Sequence, residues 1–65
     1  MTPEQYLAAL KRLELSPYAA APVIGVSLRQ SHRYAAGTTP VPRPLAKLLR
    51  LCLRLRLTAD QIAEL

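Results

Sequence analysis

Proline, glycine and small polar residues fall at intervals that cut this chain into short helices and little else. Thr2-Pro3-Glu4-Gln5 joins a capping threonine to a proline at the first helical position and a glutamine two residues later. Ser16-Pro17 repeats the signal, Gly25 stops the helix begun there, Ser27 caps the next segment, and Gly37 stands at the left-handed position past its end. The stretch "TTPVPRP" holds three prolines in seven residues and reads as an extended connector. Thr58-Ala59-Asp60-Gln61 is another capping box. Nothing alternates with period two, so no strand is expected. The expectation is a single all-α domain over 1–65, a small bundle of four to five helices. Helices are expected at about Pro3 to Leu13, from Pro17 to a stop at Gly25, over 28–36, at about 44–55, and in a short segment from about 59 that the chain end cuts off.

A chain of 65 residues buries only about 60% of its unfolded surface, so a partner subunit or ligand would add needed stability. With no Trp or Phe, the core must come from Leu, Ala, Val, Ile and three Tyr. The single Cys52 forms no internal disulfide and fits a reducing, cytoplasmic setting. The first ten residues, "MTPEQYLAAL", lack the basic-then-apolar pattern of a signal peptide, and no apolar run approaches the ~20 residues of a membrane span. One His, one Cys and four acids near the two ends supply no nucleophile–base pair and no metal set, so neither an enzyme nor a cofactor is expected. No small-molecule ligand is evident.

The net charge is +5 and unevenly placed. Seven Lys/Arg lie from Arg29 to Arg56 without one acid among them, which points to a polyanion, with nucleic acid ahead of an anionic membrane. At about 100° per residue, Arg43, Lys47, Arg50 and Arg54 share one wedge of the fourth helix. Leu45, Leu48, Leu49, Cys52 and Leu55 take the opposite side, with Leu51 and Leu53 flanking. Arg56 would fall inside that apolar arc, so the helix should end near Leu55. The arc is wider than one small core needs, which makes Leu51, Leu53, Leu55 and Leu57 candidates for a dimer interface.

The spacing over 17–37 is the most informative. Two helices crossing steeply over a short turn need a small residue at closest approach, supplied by Ala21. Gly25 supplies the positive φ of the turn, Val26 closes the core beneath it, and Ser27 caps the next helix with its amides facing outward. On that helix Ser31, Tyr34 and Ala35 point inward, and Arg29, His32, Arg33 and Ala36 line the other face. Arginines there can pair bidentately with guanine O6 and N7, worth about 1–3 kcal/mol of discrimination each. Arg29 and Arg33 are therefore candidate base contacts. His32, Arg43 and Lys47 are candidate backbone contacts, which position without specifying.

The segment "SPYAAAPVIGVSLRQSHRYAAG" (16–37), with Leu7, Leu10 and Leu13 before it and "PLAKLL" after, resembles the helix-turn-helix of the phage Cro and repressor family, the XRE-like bacterial regulators. The resemblance spans nearly the whole chain. It implies a lambda repressor-like fold and sequence-specific double-stranded DNA binding by a transcriptional regulator of prophage or plasmid type. Such a regulator would be a homodimer on an inverted repeat, with residues 28–36 in the major groove. It adds Leu28 and Gln30 as base contacts and Ser27 as a backbone contact. The sequence departs from the family at Pro22, where a polar helix former is usual, and at Ser31, usually Val or Ile. It departs again at Pro17, where many members carry a phosphate-contacting Gln, so that contact does not carry over. Pro22 suggests a bend near Tyr18 to Ala21, with Ser31 bonding a backbone carbonyl. Two rivals share these features. One is a DNA-binding antitoxin or other protein-interaction module. The other is a cationic membrane-surface helix carried by "LAKLLRLCLRLRL".

Overall fold

The computed structural model describes residues 1–65 as five helices and no strand: α1 (Pro3–Arg12), α2 (Pro17–Ile24), α3 (Leu28–Ala36), α4 (Arg43–Arg54) and α5 (Ala59–Ala63). Local chemistry sets the starts. Thr2 Oγ1 accepts from the Gln5 amide at 3.1 Å while Gln5 Oε1 accepts from the Thr2 amide at 2.9 Å, closing a full capping box. Thr58 and Gln61 close the same box on α5, at 3.2 and 2.8 Å. Ser16 and Ser27 each cap through one bond of 3.1 Å, to the amides of Ala19 and Gln30. The start of α4 has no side-chain cap; Pro42 leads in and Pro44 occupies the first turn, where its missing N–H would have had no partner.

The first four helices end alike. A residue two or three past each helix returns its N–H to a carbonyl five residues back: Leu15 to Leu10, Val26 to Ala21, Thr38 to Arg33, Leu57 to Cys52, all within 2.9–3.1 Å. Each such turn needs one residue at positive φ. Gly25 and Gly37 serve two of them, and Glu14 and Arg56 take the same conformation at φ 59° and 57°. These turns correct two boundaries. α1 stops at Arg12, with Leu13 as its cap rather than its last residue. α4 begins at Arg43 and ends at Arg54 with Leu55 as cap, one residue earlier at each end than the 44–55 expected. Gly37 has a second constraint, since a Cβ there would lie 2.9 Å from Pro3 Cγ.

Packing follows from the faces these helices present. α3 packs on α2 and α1, α4 packs on α1, and α5 on α2. Tyr6 and Leu10 of α1, Ala20 of α2, Tyr34 of α3, Ala46, Leu49 and Cys52 of α4 form one buried cluster. The connector adds Val41 to it and α5 adds Ile62. The Tyr6 and Tyr34 rings meet edge to face, with centroids 5.6 Å apart and an interplanar angle of 77°. The apolar side of α4 is thus spent on covering the other helices, with Leu45, Leu48 and Leu53 half-buried against the cluster.

Ser31 is fully buried in this cluster and joins three helices. Its Oγ donates to the Pro17 carbonyl at 2.6 Å and lies 2.8 Å from the Tyr6 hydroxyl. A serine has one proton and a carbonyl only accepts, so the Tyr6 hydroxyl must donate to Ser31. α2 runs unbroken through Pro22, whose ring is exposed. Tyr18, whose carbonyl loses its helical donor to that proline, is 67% exposed, on a side where water can replace the bond.

Candidate nucleic-acid interface

The orientation of α3 is fixed from behind. Ser31 and Tyr34 are buried and Ala35 half-buried, which turns Arg29, His32, Arg33 and Ala36 to the exposed side. Ser27 is exposed at the N-cap, where its Oγ is taken up by the Gln30 amide. Leu28 is 43% exposed, outside the buried cluster and free to meet a methyl group. Arg29 and Arg33 stand one turn apart on the same side.

Gln30 differs from the expectation. Gln5 and Gln61 each close a capping box, but Gln30, at the equivalent position after Ser27, makes only half of one. Its amide N–H bonds Ser27, while its side-chain Oε1 is buried and accepts nothing. In this conformation it offers no amide oxygen to a base, and the side chain would have to turn outward to reach one. An unpaired buried oxygen costs about 1–3 kcal/mol, which favours such a turn when a donor is available.

The other cations are laid out along α4. Arg43, Lys47, Arg50 and Arg54 are all exposed, as the helical wedge requires. Every side-chain hydrogen bond in the chain is made by Thr, Gln, Tyr or Ser; no Lys or Arg side chain is engaged in one. Arg12, to which the sequence assigned nothing, stands with Arg50 and Arg54 around one groove at the α1–α4 seam. Helical periodicity places residues around one helix only, so it could not bring Arg12 to that stripe.

The leucines expected at a dimer interface separate into two kinds. Leu51 and Leu55 are 52% and 60% exposed, while Leu53 and Leu57 are half-buried against the core and so are not free as a flat outer face. Leu55, expected on the apolar side of α4, keeps a helical backbone as the C-cap but is exposed. Cys52 is buried, which pushes its thiol pKa up and keeps it neutral. No group of three His, Cys, Asp or Glu could hold a metal ion. No helix is long and apolar enough to cross a membrane. Comparison with protein-family models, with curated proteins and with solved structures finds no match to this chain.

Proposed function

We propose that the protein is a sequence-specific double-stranded DNA-binding regulator, with α2 and α3 as a helix-turn-helix and α3 in the major groove. The observation that carries this reading is the two-sided character of α3. One side is pinned by the buried Ser31 and Tyr34, and the other carries Arg29, His32 and Arg33, exposed and without internal partners. A short helix held rigidly from behind, with arginines one turn apart in front, suits bidentate reading of guanine edges. Arg43 and Lys47, exposed at the start of α4, suit phosphate contact, and Ser27 at the cap of α3 can add another. A homodimer would read half-sites about 34 Å apart, and the exposed Leu51 and Leu55 are the leucines available to join two copies. The membrane-surface reading has less in its favour, because α4 turns most of its leucines to the core.

The test compares two variants on a bound site. Arg33→Ala is expected to relax preference at one base position, at a loss of about 1–3 kcal/mol there. Lys47→Ala is expected to weaken all sequences alike. Uniform weakening by Arg33→Ala would remove it from the base contacts.

A further inference from the structure

Two open grooves on the α1–α4 side share Arg12 and Leu53 as walls and form one trough. The larger, about 650 Å³, lies between the end of α1 and the start of α5, with Leu13, Leu15, Leu53 and Leu57 among its lining residues. Arg12 and Leu53 continue from it into a second groove, walled also by Arg50 and Arg54. Arg50 and Arg54 bound the trough on its outer side, and Lys47 and Leu51 lie beyond them on the outer face of α4. From Arg50 to Arg54 the trough follows α4 for about 6 Å.

Its chemistry is specific. The rim is exposed Arg50, Arg54, Arg12 and Arg56, and the floor is Leu13, Leu53 and Leu57, buried or half-buried. Two acids, Glu14 and Asp60, also line the larger groove, toward α5. An occupant must therefore be anionic at its edges, apolar at its centre, and tolerant of acid at one end. A phosphate backbone has no apolar part to place on the leucines. A membrane surface is flat and cannot reach side chains set below a charged rim. An amphipathic helix with carboxylates flanking an apolar stripe meets all three demands.

We propose that this trough is a docking site for an acidic amphipathic helix of another protein. Its apolar residues lie on Leu53 and Leu57, and its carboxylates face Arg12, Arg50 and Arg54. A cation near one end of the helix meets Glu14 and Asp60 and fixes its direction. The site uses no residue of α3 and neither Arg43 nor Lys47, so it stands or falls separately from DNA reading.

The test is titration of the full chain with a fluorescent synthetic helix of about 14 residues, four turns, carrying glutamates beside a leucine stripe. Saturable binding is expected, with NMR shifts gathered at Leu13, Leu53 and Leu57. Replacing the peptide leucines by serine should weaken binding about fivefold or more. Arg50→Glu with Arg54→Glu should weaken it about tenfold or more, and both positions are exposed, so the variant should fold. The base preference of bound DNA should not change in that variant. Failure to bind at low salt, or indifference to the leucines, would overturn the proposal. So would shifts centred on Arg29 and Arg33, which would place the peptide on α3. A greater dependence of duplex-DNA or anionic-vesicle binding on Arg50 and Arg54 would give the trough to those partners. A change of oligomeric mass in the variant would make it a contact between copies, and that also overturns the proposal.

Discussion

Ser31 occupies the point where α1, α2 and α3 meet, and its hydroxyl both donates to Pro17 and accepts from Tyr6. An apolar residue there would leave the Tyr6 hydroxyl buried and unpaired. Ser31→Val is therefore expected to cost about 2 kcal/mol, lowering the melting temperature by roughly 8–16 °C. Adding Tyr6→Phe should recover part of the loss, because the stranded hydroxyl goes too; a purely additive double variant would show that the pair is not coupled. Burial pushes the Tyr6 phenol above its ordinary value of 10.0 and the Cys52 thiol above 9.0. Both are acids whose neutral form the fold favours. Their contribution is complete below those ordinary values and is lost as pH rises through the raised ones. The melting temperature should therefore fall with rising pH from about 9 upward, and less steeply in Tyr6→Phe; an equal slope in the variant would exclude Tyr6 as a cause. Sequence reading reached half of this arrangement. The mismatch of a serine on an inward face pointed to a carbonyl partner, but its second partner, Tyr6, lies 25 residues away and left no local trace.

At the scale of elements, Pro22 is the residue most at odds with its helix. It removes one backbone bond from α2, yet the helix continues to Ile24, with the proline ring on the exposed side. Restoring the N–H with Pro22→Ala should raise stability by about 2 kcal/mol, read as a higher thermal midpoint; an unchanged midpoint would mean that water already replaces the missing bond in full. Helix starts were legible because a cap and its partner lie within one turn, as in Thr2–Gln5 and Thr58–Gln61. Ends marked by Gly25 and Gly37 were equally plain. The turns at Glu14 and Arg56 were not marked, because neither residue type announces positive φ, and the boundaries of α1 and α4 slipped by one residue there. The inward and outward faces of α3 followed from periodicity alone. The inward oxygen of Gln30 and the position of Arg12 beside α4 did not, since both depend on how separate elements pack.

For the whole molecule, the uneven charge is the property with the widest consequence. Seven cations from Arg29 to Arg56 have no acid between them, and the side-chain hydrogen bonds of the chain engage none of them. The fold divides these cations between α3, the start of α4, and the trough along the α1–α4 seam. If Arg43 and Lys47 meet phosphates, log K should fall against log salt with a slope of about −1.8; an affinity indifferent to salt would contradict the phosphate contacts. The central claim is that α3 reads a defined sequence, and selection of bound duplexes from a random pool tests it most directly. The account predicts an enriched inverted repeat, with half-sites about one helical turn apart and guanines at positions whose preference relaxes in Arg29→Ala and Arg33→Ala. A bound pool with no enriched motif, or a motif that both variants leave unaltered, would contradict it.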